Sequence, residues 1–480
     1  MKSKKTFYIT TTLPYVNDTP HIGHTLEYVR ADMLARTAMQ NGRRVFFNTG
    51  TDEHGQKVYD KATTLGEDVQ LYVDRYAAKF REVLSALNIT KTIHFTRTTD
   101  SNHILAVQEM WRRCLKNGDI YKARQIIKYC KGCELEKTDS ELNYGKCPLH
   151  PNYIIDVREE ENYFFSFSKY KDKLLKLYAE RQNFVIPSSR LNEVRTFVEN
   201  GLRDFSVSRL KEKMPWGVPV PDDEAHVMYV WFDALTNYIS ALGWPEDLNG
   251  TYRDFWEQGE VVQLCGKDNL RQQCAIWQAM LGSAGLPHPT RILVGGFLIS
   301  DGHKMSKSIG NVIDPFEILK KYGTDALRYY LLRHINPFDD TDVTVEHIHE
   351  MYTAHLVNGI GNLASRIMKM AETYLDVPVD CTSVSIPDIY SVNLARFAFH
   401  EVMDSIFVKI NSLDERIASE EPFKKVKEDV EMGKLIITSL VQELFSIANL
   451  LAPAMPETAQ KIFLAIEKNK KPENMFPRIS

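Results

Sequence analysis

The run KTFYITTTLPYVNDTPHIGHTLEYVRADMLARTAMQNGRRVFFNTGTD, residues 5–52, decides the fold. Its opening, KTFYITTTLPY, is apolar and β-branched up to Pro14 and reads as a buried strand. VNDTP reads as a turn. HIGHTLEYVRADMLARTAMQNG then reads as a helix, with apolar Leu26, Val29, Met33 and Met39 and a stop at Gly42. RVFFNTGTD reads as a second strand. A further helix carries Val69, Val73, Tyr76, Phe80, Val83 and Leu87 at alternating steps of four and three. Strand, helix, strand, helix predicts a parallel sheet with crossover helices.

The alternation breaks near residue 100, and the text to about 225 is irregular. It resumes with HVMYVWF (226–232), a helix from Asp233, EVVQLCGKD (260–268), a helix through Trp277 and RILVGGFLI (291–299). One sheet interrupted by an insertion is expected. From about 346 the chain reads as helical, with Gly433 the single glycine beyond Asn362. The 480 residues suffice for two to four domains. Hydrophobic content of 44% and charged content of 25% are ordinary for a globular chain. The net charge of −4 does not announce a nucleic-acid partner, which would need a local basic face. No membrane span or signal peptide is expected, because no apolar run approaches about 20 residues. There are seven cysteines, three of them clustered with a histidine. That favours a reducing cytoplasm and one metal site over a disulfide framework.

HIGH, residues 21–24, sits where a strand gives way to a helix. The first turn of a helix leaves backbone N–H groups free and carries the positive end of the macrodipole, a ready site for anions. His21 and His24 share one face of that turn, and Gly23 lets a ligand approach the backbone. Alone, such histidines are more often local caps. A second element changes the balance: DGHKMSKSIGN, residues 301–311. Lys304 and Lys307 each bring an ammonium, Ser306 and Ser308 bring hydroxyls, and Gly302 and Gly310 permit hinging. This is no Walker loop, which needs glycines before a single lysine. Together the two elements predict a clamp on a polyphosphate whose charge builds in the transition state.

CKGCELEKTDSELNYGKCPLH, residues 130–150, holds two knuckles. Cys130 and Cys133 form CxxC, and Cys147 and His150 form CxxH, with thirteen residues between the pairs. Three thiolates and an imidazole match a closed, structural Zn²⁺ site. Cys114, Cys265, Cys274 and Cys381 are expected to be ordinary buried thiols. GIGNLA from Gly359 matches a dinucleotide fingerprint by letter but follows no strand, so that reading is rejected.

HIGH and KMSKS in this order, on a split alternating sheet, resemble the class I aminoacyl-tRNA synthetases. The strings TTTLPYVNDTPHIGHTLEY, GTDEHGQKV, YVWFDALTNYISALGW, GKDNL, KMSKSIGNVIDP and VNGIGNLASR together are similar to the methionyl-tRNA synthetase branch. The resemblance implies an α/β fold: a Rossmann-like parallel-sheet catalytic domain split by a zinc-bearing insertion, then an α-helical anticodon-binding bundle. The implied divisions are 1–99, 100–225, 226–300, 301–345 (KMSKS loop and stem contact) and 346–480. It implies a ligase that activates methionine with Mg²⁺-bound ATP to methionyl-adenylate. The acyl group then passes to the 3′ adenosine of tRNA(Met), for translation including initiation.

By the same resemblance, His21, His24, Lys304 and Lys307 are catalytic, and Gly23 and Ser306 join them at ATP. Leu13, Tyr15, Asp52, Trp231, Tyr238 and Trp277 would bind methionine. Asp52 would pair the ammonium, with Arg209 a candidate to orient it. Aromatic walls suit a thioether. The chain departs from many relatives at Gln273, where a histidine is common, at Val294–Gly296, and at His150, where many have cysteine. Asn362, Arg366 and Phe423 would contact the anticodon, with phenylalanine in place of a common tryptophan. One structural zinc, a monomer, a cytoplasmic location and no membrane complete the expectation. Synthetases for isoleucine or valine need editing, because a methylene discriminates only about 10–200-fold, and 100–225 is too short to hold an editing domain beside the zinc site. Intact histidines and lysines argue against a non-catalytic tRNA-binding paralogue. A nicotinamide dehydrogenase would need a glycine fingerprint at the first strand–helix turn.

Overall fold

The structure is a computed structural model that describes residues 5–132, 135–137, 141–300, 302–304, 311–381 and 386–479. The chain forms two compact units. The first is Met1–Thr19, Gly42–Glu82 and Lys91–Val294; the second is Pro20–Asn41, Val83–Thr90 and Gly295–Ser480.

The first unit is built on a six-stranded sheet in the order Ile93–Arg97, Arg44–Thr51, Thr6–Thr10, Glu260–Gly266, Arg291–Gly295, Val185–Ile186. Thr6–Thr10 pairs in parallel with Arg44–Thr51 on one side and Glu260–Gly266 on the other. All five of its residues are buried, as a central strand covered on both faces requires. The chain runs through a helix, Ile22–Gln40, between the first two parallel strands, which is the predicted crossover pattern.

The structure corrects several sequence expectations. The first strand ends at Thr10 rather than Pro14. Pro14 has no N–H for a ladder, so only its carbonyl is used, accepting from Asp52 N–H at 2.9 Å; Val16 N–H returns a bond to Asp52 O at 3.1 Å. HVMYVWF does not enter the main sheet. Asp223–Met228 lies in a three-stranded antiparallel sheet between Pro219–Val220 and Ser208–Leu210, and Val230–Ala234 is already helical. An apolar run does not reveal its partner, and here a hairpin neighbour a few residues upstream takes it. RILVGGFLI splits into Arg291–Gly295 in the main sheet and Leu298–Ser300 in a small second-unit sheet. The irregular stretch is structured too. Ile120–Cys130 and Asp156–Phe165 form a long antiparallel pair, and Val185–Ile186 returns to the main sheet beside Arg291–Gly295.

The second unit combines the Ile22–Gln40 helix with Thr324–Arg333 and a set of helices that includes Asn362–Tyr374, Phe399–Glu420, Val430–Leu451 and Pro456–Glu467. The GIGNLA stretch is helical, as expected, with a kink at Gly359. Val430–Leu451 is long and apolar enough to cross a membrane, contrary to the expectation that no such run exists. Its Ile437, Leu440, Val441, Leu444, Ile447 and Leu451 are buried against its neighbours in the unit.

A fully buried ion pair holds the unit's helices in place. Arg328 Nη2 lies 2.7 Å from Asp32 Oδ2, both side chains with no exposed surface. Arg328 also donates to the carbonyls of Ala454, Leu87 and Pro453. Asp32 accepts from Arg36 Nε and Thr90 N–H. All three guanidinium nitrogens and both carboxylate oxygens are therefore hydrogen-bonded, the condition under which a buried pair is tolerable. Replacing Arg328→Met removes the buried countercharge of Asp32, leaving it to Arg36 and Thr90, and takes the Arg328 donors from three carbonyls. It is expected to cost about 3–5 kcal/mol in denaturant unfolding.

Candidate functional site

The second unit carries the predicted imidazole pair. His21 is the N-cap of the Ile22–Gln40 helix, with extended backbone (φ −127°, ψ 170°). Gly23 N–H donates to His21 Nδ1 at 3.1 Å, and His21 N–H donates to His24 Nδ1 at 3.1 Å. This is a capping box made of two imidazoles in place of the usual hydroxyl and carboxylate. The rings lie 3.9 Å apart, centroid to centroid, tilted by 32°. A Cβ at Gly23 would stand 2.8 Å from His21 Cε1, so glycine here seats the imidazole.

The bonds also correct the expected source of anion binding. Ile22 N–H donates to Ile313 O at 3.3 Å, Gly23 N–H to His21 Nδ1, and His24 N–H to His21 O at 2.9 Å. The first-turn amides are thus already engaged. What the turn offers instead is chemistry at the rings. A neutral imidazole whose Nδ1 accepts must carry its proton on Nε2. Burial first, then the neighbouring His21, push the His24 pKa well below its ordinary value, so His24 is neutral and is a donor only through Nε2–H.

The same unit frames the lysine loop. Leu298–Ser300 pairs antiparallel with His303–Lys304, matching Ile299 with Lys304, and in parallel with Thr341–Asp342. Gly302 N–H donates to Asp342 Oδ2, and Asn311 Nδ2 donates to Ser300 O at 3.2 Å, closing the base of the loop. Ser306, Ser308, Lys307 and Gly310 lie outside the described residues, as does the Lys304 side chain.

The first unit holds the residues expected at the amino acid. Tyr15 and Asp52 are paired as a parallel bridge; Asp52 is buried, and Tyr15 and Leu13 are half-buried. Arg209 donates to Ser206 Oγ and Ser208 O and lies over the rings of Tyr129 and Tyr229. Trp231 is half-buried at the start of a short helix, Val230–Ala234. Tyr238 is buried and packs on Trp277, with ring centroids 5.8 Å apart. Trp277 is fully buried behind it, against Trp256. Gln273 has a definite role among these side chains. Tyr238 Oη donates to Gln273 Oε1 at 2.8 Å, and Gln273 Nε2 donates to Gln263 Oε1 at 2.9 Å. The amide therefore holds the tyrosine hydroxyl from behind.

A buried network went unread in the sequence. Asp233 is fully buried and both its oxygens are taken, by His54 Nδ1 at 2.6 Å and His103 Nε2 at 2.8 Å; His103 Nδ1 meets Ser240 Oγ at 2.8 Å. Burial raises the Asp233 pKa, but the two histidines outweigh it and the net shift is downward. It ties the segment after Asp52 to the helix carrying Trp231. His54 and Asp233 stand inside the strings GTDEHG and WFDAL, but their partnership across 179 positions has no local signal.

The metal knuckle is also in the first unit. Ligand atoms of Cys130, Cys147 and His150 lie within 4.8 Å of one another, with Cys147 Sγ 3.9 Å from His150 Nδ1. Cys133 lies outside the described residues. A Cβ at Gly132 would stand 2.3 Å from His150 Cγ, so the imidazole folds onto the bare backbone of the first knuckle. Two sulfurs and an imidazole nitrogen converging in this way can hold a metal ion. Of the other cysteines, Cys114, Cys265 and Cys274 are buried as expected, and burial pushes the Cys114 thiol up to about 12. Cys381 is only half-buried, because it sits in the link before the Asp388–Ala395 helix rather than inside an element.

Asn362 is exposed and Arg366 half-buried, one turn apart on Asn362–Tyr374. Arg366 pairs with Asp414 of Phe399–Glu420. Phe423 is 42% exposed on a separate short helix, Pro422–Glu428.

Comparison with known proteins gives a consistent result. Residues 7–154 and 141–368 match the family described as tRNA synthetases class I (M). The methionine–tRNA ligase of Thermosynechococcus vestitus is 39% identical over 477 residues, covering 95% of this chain and 89% of the relative. That of Synechocystis sp. is 38% identical, covering 96% and 89%. Among solved structures, Mycobacterium tuberculosis methionyl-tRNA synthetase in complex with methionyl-adenylate superposes with a TM-score of 0.87 at 33% identity, covering 99% of both chains. The apo form of that enzyme gives 0.80, at 30% identity, covering 99% of this chain and 97% of that one.

The tight seat of His150 on Gly132 gives a direct test. Gly132→Ala should expel the imidazole from the knuckle and lower the metal retained per chain after dialysis against a chelator, while a surface substitution such as Leu149→Ala leaves it unchanged.

Proposed function

The chain belongs to the methionine–tRNA ligase family of class I tRNA synthetases, and we propose that its imidazole pair and lysine loop hold the triphosphate while the residues around Asp52 hold the amino acid. It is a ligase that activates methionine with ATP and charges tRNA. The observation that carries the division of labour is the imidazole capping box, which leaves both Nε2–H groups as the donors of His21 and His24.

The first reaction is attack of the methionine carboxylate on the α-phosphorus of ATP, with pyrophosphate leaving. No protein nucleophile is needed, so the residues act by positioning and by stabilising charge. Negative charge grows on the non-bridging oxygens and on the leaving pyrophosphate. The Nε2–H donors of His21 and His24 and the ammoniums of Lys304 and Lys307 are suited to those oxygens. The neutral state of His24 at physiological pH makes it a directional donor, with the bulk of the positive charge left to the lysines. Asn311 Nδ2 donates to Ser300 O and so ties the described flank of the loop to the Leu298–Ser300 strand. Mg²⁺ carried in with ATP as part of the substrate would supply charge neutralisation at the phosphates.

For the amino acid, Asp52 pairs the substrate ammonium. Tyr15, Trp231 and Tyr238 line the side chain, with Trp277 backing Tyr238. Sulfur–aromatic contacts of roughly 0.3–1.5 kcal/mol each favour a thioether over a branched alkane. In the second reaction the hydroxyl of the terminal adenosine of tRNA(Met) attacks the carbonyl of the mixed anhydride and AMP leaves. Asn362, Arg366 and Phe423 read the anticodon loop by edge contacts and stacking. Releasing Arg366 from Asp414 costs little, since exposed ion pairs are worth about 0–1 kcal/mol. Zn²⁺ is the metal best suited to Cys130, Cys133, Cys147 and His150, and a four-ligand site of this kind supplies structure rather than reactivity. A monomer acting in the cytoplasm, serving initiation as well as elongation, fits this reading.

The test is ATP–pyrophosphate exchange without tRNA across the amino acids. Methionine should drive exchange strongly; exchange driven by leucine or isoleucine and not by methionine would overturn the substrate. Lys307→Ala should reduce exchange by about 10²–10³-fold, the usual loss for one transition-state donor, while tRNA binding persists. A variant that binds tRNA and exchanges at the parental rate would instead favour a chain whose lysine loop does no chemistry.

A further inference from the structure

Lys57 is the second residue of the helix Gln56–Leu65, whose N-cap, Gly55, provides no side-chain hydrogen bond. A cation in the first turn opposes the helix macrodipole, so this is an unfavourable place for a lysine unless something else holds the ammonium. Two groups do. Lys57 Nζ donates to Gly132 O at 2.8 Å, and it lies over the Tyr15 ring, 5.7 Å from the centroid. Gly132 is the residue on which His150 of the metal knuckle is seated. Tyr15 is the residue bridged to Asp52. One ammonium therefore touches the backbone of the metal knuckle and a wall of the amino-acid pocket at once.

We infer that Lys57 is a positioning residue through which the metal knuckle sets the Tyr15 wall of the methionine pocket. With a metal bound, the Cys130–Gly132 turn is fixed and its carbonyl aims at Lys57. The ammonium is then held over Tyr15 and fixes the ring against which the substrate packs. Without the metal the turn loses its anchor, Lys57 loses its carbonyl, and the ring is free to reorient. A site suited by its ligands to scaffolding thereby acquires an influence on substrate affinity. The inference rests on the proposed role of Tyr15 and Asp52 at methionine.

Thermodynamic linkage makes the inference reciprocal: whatever factor the metal adds to methionine affinity, methionine adds to metal affinity. Three proteins are compared: the parent, Lys57→Met, which keeps the stem and removes the charge, and Lys57→Arg, which restores a cation able to reach both groups. The parent must first show methionine-dependent exchange; its absence would sink the reading of the pocket itself. Given that, Lys57→Met should raise the methionine KM about three- to tenfold, the range expected for one partly desolvated cation–π contact, with kcat and the ATP KM changed far less. Lys57→Arg should recover most of the loss. Stripping the metal with a chelator should raise the parent's methionine KM by a similar factor and add nothing further to Lys57→Met. Independently of activity, saturating methionine should slow chelator extraction of metal from the parent and not from Lys57→Met. A parental methionine KM in Lys57→Met, or equal protection of the metal by methionine in both proteins, would overturn the inference while leaving the assignment of the pocket intact.

Discussion

Two hydrogen bonds at the head of one helix fix the two imidazoles on which the proposed chemistry of this chain depends. The amide of Gly23 and the amide of His21 each donate to an imidazole Nδ1. Those bonds do three things together. They terminate the helix at residue 21, they clamp two rings within 3.9 Å of each other, and they decide which nitrogen of each neutral ring keeps its proton. Capping and function are usually separate tasks for separate residues. Here the imidazoles that cap the helix are the ones proposed to meet the triphosphate, so the geometry of the two rings is as firm as the helix.

The rest of the second unit is arranged to make that firmness real. The helix headed by His21 is tied by the buried Asp32–Arg328 pair to the segment 83–90, to Thr324–Arg333 and to the turn at 453–454. Such a pair contributes little net stability compared with an apolar replacement, but it penalises any arrangement that breaks it. A rigid helix carrying donors suits a reaction stabilised by positioning and by groups set in place before charge develops. In the first unit, the aromatic rings proposed to line the amino acid are held from behind. Gln273 secures Tyr238, and the His54–Asp233–His103 network joins the Asp52 segment to the Trp231 helix.

The sequence revealed what has a local signature. The strand–turn–helix reading of residues 5–52 and the crossover helix with its apolar spacing are short-range patterns that appear in the structure, with the first strand ending earlier, at Thr10; of the two knuckles, Cys130, Cys147 and His150 come together. Partners distant along the chain were not legible. HVMYVWF is equally apolar whether it joins a parallel sheet or pairs with Ser208–Leu210, and only the fold decides. Val185–Ile186 is too short to read as a strand at all. At the helix terminus, the first-turn amides that the sequence offered to an anion are already engaged by His21 itself and by Ile313. Gln273 looked like a missing contact because the sequence could not show that its amide would be oriented by Gln263. Lys57 carries no motif; its meaning comes entirely from the carbonyl and the ring it reaches.

The central claim is that His21 and His24 present Nε2–H to a nucleotide triphosphate, and ¹⁵N NMR of the imidazole nitrogens addresses it most directly. Near neutral pH both rings should show an unprotonated Nδ1 and a protonated Nε2. Adding a non-reactive ATP analogue should move the Nε2 resonances while leaving the Nδ1 signals near their free positions. A proton on Nδ1 of either ring in the free protein, or Nε2 resonances indifferent to the nucleotide, would contradict the account.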